Sequence, residues 1–94
     1  MTVADRIRAK LTAALKPTRL EIHDDSHRHE GHAGSRPGGE SHFRLEIASP
    51  AFAGKTKLDR QRLVYDVLAE ELRGTVHALQ LSTLTPEEDR LQTR

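Results

Sequence analysis

The chain has 94 residues, 35% hydrophobic and 31% charged, with fifteen Lys and Arg against fourteen Asp and Glu and a formal net charge of +1. A chain this short supports one modest core, and with two Phe, one Tyr and no Trp that core must be built from Leu, Ile, Val and Ala. The near-balance of charge argues against a dedicated, highly basic nucleic-acid binder, and the lack of Cys excludes a disulfide framework, a thiolate nucleophile and a self-contained four-Cys cluster site.

Val3, Ile7, Leu11 and Leu15 recur at steps of four, which predicts an amphipathic helix over 2–15. Thr2 can cap it, Asp5 suits its first turn and Pro17 stops it. Leu20 and Ile22 alternate with Arg19, Glu21 and His23, the pattern of a short one-faced strand. The stretch 24–39 carries Gly31, Gly34, Gly38, Gly39 and Pro37 and predicts a mobile loop. Phe43, Leu45 and Ile47 alternate with His42, Arg44 and Glu46, giving a second strand paired with the first across that loop. Pro50 to Gly54 reads as a turn, 59–73 as one helix through Leu63, Val67, Leu68 and Leu72 closed by Gly74, and 76–84 as a third strand. Pro86, Glu87, Glu88 and Asp89 open a final short helix.

The order αββαβα predicts an α+β domain, with a right-handed crossover to a parallel third strand and a mixed three-stranded sheet carrying helices on one side. One domain over 1–94 is expected, with its core over about 2–85, a flexible loop over 24–39 and a short helix and tail over 86–94. No apolar run approaches a membrane span, and 1–10 carries charges where a secretory signal needs an apolar centre, so a soluble cytoplasmic protein is expected.

Four of the six His lie between His23 and His32. Imidazole is a common ligand for zinc, copper, iron and nickel, so Ser26-His-Arg-His-Glu-Gly-His32 reads either as a flexible metal site or as a solvated polar loop, with no paired His motif on a preformed element to decide. His77 falls in phase with Leu79 and Leu81 if the last strand begins that early, a buried or half-buried structural position or a ligand. Ser, His and Asp are present without a nucleophile elbow, and Gly54-Lys-Thr-Lys57 lacks the second Gly of a P-loop or of a KH backbone clamp. Lys55, Lys57, Arg60, Arg62 and Arg73 lie at and along the second helix, as a solvated surface or as a DNA-contacting face; the scarcity of aromatic residues speaks against single-strand recognition.

In order along the chain stand Glu40-Ser-His-Phe-Arg-Leu-Glu-Ile47, Phe52-x-Gly54, Arg60-x-Arg62, Leu68-Ala-Glu-Glu-Leu72 and Val76-His-Ala-Leu79. This set resembles the BolA family from about Arg6 to Thr85, with one departure at Gln61, where many members carry His. The resemblance implies a KH-like (class II) αββαβ fold and a monothiol glutaredoxin as partner. It also implies a [2Fe-2S] cluster shared across the heterodimer, with sulfur from a glutaredoxin Cys and from glutathione, and with His77 as one ligand from this chain. A second ligand is expected from the loop between the first two strands, for which His29 is the best match and His32 its rival. No catalysis, small-molecule substrate or membrane partner is implied. The expected function is that of an adaptor in iron-sulfur cluster assembly, trafficking or iron-dependent regulation; the alternative is a stress-response transcription regulator that binds DNA directly through Lys55, Lys57, Arg60 and Arg62.

Overall fold

The computed structural model describes residues 2–25 and 41–92. In chain order these form helix α1 (Val3–Leu15), strands β1 (Arg19–Asp24) and β2 (His42–Ala48), a 3-10 turn (Pro50–Phe52), helices α2 (Lys57–Val67) and α3 (Ala69–Arg73), strand β3 (Ala78–Leu84) and helix α4 (Pro86–Gln92). The fold class is the expected α+β one. Beyond Asp24 and Asp25, the anticipated mobile loop over 24–39 lies outside the described residues.

Helix α1 starts where its first free amides find partners. Thr2 accepts from the Asp5 amide and Asp5 accepts from the Thr2 amide, a capping box. Those hydrogen bonds from Thr2 hold the Asp5 carboxyl below its ordinary value. The helix buries Val3, Ile7, Leu11 and Leu15, the four residues its periodicity singles out, and ends at Lys16 in the left-handed region (φ 46°) ahead of Pro17.

The sheet order is β1-β2-β3, antiparallel between β1 and β2 and parallel between β2 and β3. On β2, Phe43, Leu45 and Ile47 are buried under the helices while His42, Arg44 and Glu46 face outward and stay half-buried. Register carries that alternation to both neighbours: Leu20 and Ile22 of β1 and Leu79 and Leu81 of β3 stand opposite the buried residues and pack on the same core. Each side chain of this size fully withdrawn from water contributes about 1.5–3 kcal/mol.

The second helix, expected as one piece over 59–73, is two. Leu68 leaves helical geometry (φ −101°, ψ 18°) between α2 and α3, although neither Gly nor Pro marks the place. Tertiary packing overrides propensity there: Leu68 is itself in the core, and α3 buries the carboxylate of Glu71 against α1. Glu71 is 2% exposed, and its carboxylate receives Lys10 Nζ at 2.8 Å and Arg6 at 3.3 Å. Burial pushes this carboxyl up, but the Lys10 ammonium and the Arg6 guanidinium outweigh it and hold the group below its ordinary value. Because the folded value is the lower one, the pairing stabilises at neutral pH and its contribution disappears as pH falls through the folded value. Glu71→Gln should therefore lower stability at pH 7 by roughly 1–3 kcal/mol and flatten the acid limb of the stability profile; urea unfolding of both proteins between pH 7 and pH 3 measures this.

Candidate functional site

The pairing of β2 with both neighbours brings chain segments distant in sequence to one end of the sheet. Asp24 stands opposite Phe43, the Asp25 amide donates to the His42 carbonyl at 2.8 Å, and His42 stands opposite Ala78. Asp25 and Ser41, the described residues on either side of 26–40, therefore both stand at this end. Ser41 is buried, and its carbonyl accepts the amides of both His77 (2.7 Å) and Ala78 (3.2 Å). Just upstream, Val76 is buried and donates its amide to the Glu71 carbonyl at 3.0 Å. The backbone of His77 is thus anchored on both sides.

Its side chain is not. The phase with Leu79 and Leu81 points to a buried or half-buried position on a strand starting at 76, but β3 begins at Ala78 and His77 is exposed. Val76 takes the buried place because it must cover the core where α3 runs out. The result is an imidazole in solvent on a fixed backbone, which suits a ligand offered to a partner.

A second ring stands beside it. His42, in the Ser-His-Phe motif, is half-buried on the outer face of β2, its ring centroid 6.5 Å from that of His77 and tilted by 32°. The Ser41 hydroxyl lies 2.9 Å from His42 Nδ1. Sequence reasoning uses His42 only as part of a motif; the signal that could have found it is the parallel pairing, which puts the first residues of β2 and β3 side by side. His29 and His32, the expected loop ligands, lie outside the described residues.

The expected basic face is divided. Lys55, Lys57 and Arg62 are exposed, as is Arg73, and Arg62 approaches Asp59 at the long distance of 3.8 Å. Gly54 supplies the left-handed turn (φ 75°) that presents Lys55, and Thr56 caps α2 by accepting the Asp59 amide. Arg60 does not belong to this face, contrary to expectation. It is 8% exposed and stacks over Phe52, while donating to the carbonyls of Lys55 (3.0 Å) and Thr83 (3.0 Å) and to Glu88 (2.7 Å). An arginine offers five donors on a planar fork, enough to satisfy a turn, a strand end and a helix from one buried place.

This clamp docks α4. Glu88 accepts from Arg60 and from the Thr85 amide, which hold its carboxyl down to about 2, and Arg19 makes a bidentate contact with Asp89, with Nη2 to Oδ1 at 2.7 Å and Nε to Oδ2 at 3.0 Å. Arg60→Ala should cost roughly 1–3 kcal/mol, whereas Lys55→Ala, Lys57→Ala and Arg62→Ala should each stay within about 0.5 kcal/mol of the parent; chemical unfolding compares them. The Glu88 contribution is complete above its ordinary value of 4.5 and disappears as pH falls toward about 2. Glu88→Gln should accordingly lose stability at neutral pH and show a weaker dependence on pH across that window, followed by thermal unfolding.

The fold and the ordered motifs define a small KH-like α+β domain. The family model described as BolA-like protein matches residues 11–88, and the chain belongs to the BolA family. It is 48% identical over 88 residues to "DNA-binding transcriptional regulator BolA" of Escherichia coli (strain K12), a match covering 94% of this chain and 80% of that protein. It is 47% identical over 87 residues to "SufE-like protein 1, chloroplastic/mitochondrial" of Arabidopsis thaliana, covering 88% of this chain but only 24% of that protein, so the chain spans about a quarter of that relative. Among solved structures, "BolA1 from Arabidopsis thaliana" superposes with a TM-score of 0.85 at 43% identity, covering 94% of this chain and 96% of that one. Among the described residues, no helix is long and apolar enough to cross a membrane.

Proposed function

We propose that this protein is a non-catalytic adaptor that pairs with a monothiol glutaredoxin and co-ligates a shared [2Fe-2S] cluster, serving cluster assembly, trafficking or iron-dependent regulation. The observation that carries the reading is His77, an exposed imidazole on an anchored backbone at the sheet end where Asp25 and Ser41 also stand. The donor set fits. A chain without Cys brings no thiolate of its own, so it would contribute imidazole here, and the sulfur comes from the partner's Cys and from glutathione. His77 holds one position, and a loop His, His29 or its rival His32, holds the other.

When bound, the cluster supplies a labile iron-sulfur unit whose imidazole ligation leaves it less negative than an all-thiolate one and sensitive to pH near neutrality. This chain's residues contribute placement. The Ser41 carbonyl and buried Val76 fix where His77 stands, and His42 adds a second imidazole alongside. The chain is to be mixed with a monothiol glutaredoxin, iron, sulfide and glutathione, and the visible spectrum and complex mass recorded. His77→Ala should preserve the fold but change the spectrum and shorten cluster lifetime by roughly tenfold or more, whereas His29→Ala should have a smaller effect where His32 substitutes. An unchanged spectrum and lifetime for His77→Ala would overturn the ligation.

A second reading is favoured by one observation: a relative 48% identical to this chain carries the name DNA-binding transcriptional regulator. Lys55, Lys57 and Arg62 are the exposed cations at the start of α2 that such binding would use, with Arg60 serving the fold instead. The near-neutral total charge predicts weak, strongly salt-dependent association with duplex DNA. Replacing Lys55, Lys57 and Arg62 together with Ala should lower the slope of log K against log salt by about one unit for each phosphate these side chains neutralise. Fluorescence anisotropy at two salt concentrations measures it, and an unaltered slope would exclude this surface.

A further inference from the structure

The outer face of the sheet holds a second set of donors, away from His77. On β1, Glu21 and His23 point to the side opposite Leu20 and Ile22; on β2, Glu46 stands directly opposite Glu21, and Arg44 opposite His23. His23 Nε2 lies 3.4 Å from Glu21 Oε1 and 3.8 Å from Glu46 Oε2. That nitrogen is buried and has no hydrogen-bond partner among the described residues. Glu21, His23 and Glu46 each offer one ligand atom, and the three atoms lie within 4.8 Å of one another.

We propose that Glu21, His23 and Glu46 form a binding site for a divalent cation of the zinc class, independent of the cluster reading above. Three features support it. First, the spacing matches the ion: two donors each about 2.1 Å from a tetrahedral zinc stand about 3.4 Å apart, close to the His23 separations already present. Second, the carboxylates are oriented from behind. Arg19 Nη1 holds Glu21 Oε2 at 2.6 Å and Glu46 Oε1 at 3.2 Å, and Arg19 is itself fixed by Asp89. The guanidinium thus takes the outer oxygen of each glutamate, as outer-shell partners orient metal ligands; Glu21 Oε1 and Glu46 Oε2 face His23, and Arg44 Nη1 also approaches Glu46 Oε2 at the long distance of 3.7 Å. Third, the guanidinium holds Glu21 below its ordinary value, which keeps it an anion at neutral pH.

A cation answers the chemistry of the place better than a single proton does. A proton on Nε2 can be shared with one carboxylate at a time, whereas a zinc ion accepts one imidazole nitrogen and two carboxylate oxygens together and leaves a fourth position for water. Glu21 and Glu46 keep 47% and 33% of their side chains exposed, so solvent reaches the carboxylates, while His23 Nε2 itself is withdrawn from water.

The test uses the full chain, with Zn2+ titrated while the histidine ring nitrogens are followed one by one in long-range proton–nitrogen NMR and bound metal is counted by equilibrium dialysis. The His23 Nε2 resonance should shift with zinc, separately from any change at His77 or the loop histidines. His23→Gln and Glu46→Gln, checked by circular dichroism for an intact fold, should each lose one zinc equivalent or weaken it about tenfold or more, while His77→Ala retains it. A His23 resonance unmoved at saturating zinc, or His23→Gln with the parent's stoichiometry and affinity, would overturn the proposal.

Discussion

The register of β2 is the constraint on which the rest of the structure depends. As the central strand it must satisfy its amides and carbonyls on both sides, antiparallel to β1 and parallel to β3. Its alternation places Phe43, Leu45 and Ile47 in the core, and a slip of one residue would turn Arg44 and Glu46 inward. The cost of that error selects one pairing. Once it is selected, Ser41 must meet His77, Glu46 must meet Glu21, and Ala48 must meet Leu84.

The two ends of the sheet are built differently. At one end Ser49 donates its hydroxyl to the Leu15 carbonyl at 2.6 Å and its amide to the Leu84 carbonyl at 2.9 Å. Arg60 and Arg19 fasten α4 across that same end through Glu88 and Asp89. At the other end stand His42, which opens β2, and Asp25, Ser41 and His77, which flank the three strands, with the imidazoles held by anchored backbone. A side chain at or next to a strand start has the small positional freedom of the sheet itself. Ion pairs in this small domain act chiefly as fasteners between elements, joining α1 to α3, α2 to α4 and β1 to α4, where an all-apolar contact would need more core than 94 residues supply.

Much of this was legible in the residues. The step of four in Val3, Ile7, Leu11 and Leu15, the alternation in β1 and β2 and the acidic start of α4 each record a local rule, and α1, β1, β2 and α4 formed where those rules placed them. The break at Leu68 carried no such mark, because burying Glu71 against Lys10 and Arg6 joins residues some sixty positions apart. Arg60 shows the same limit. Its spacing with Lys57 and Arg62 reads as a charged face, and only the arrival of Phe52, Thr83 and Glu88 around it turns it into an interior clamp.

The sequence by itself determined the element order, the apolar faces, the lack of sulfur ligands and the motif set that places the chain in its family. The tertiary structure decided which polar residues meet: that His77 stands in solvent beside His42, that Arg60 leaves the basic face, and that His23 lies between Glu21 and Glu46. The physical reason is that periodicity is a property of one element, set by backbone geometry within a few residues. The meeting of side chains depends instead on strand register and on long-range burial, which no local pattern encodes.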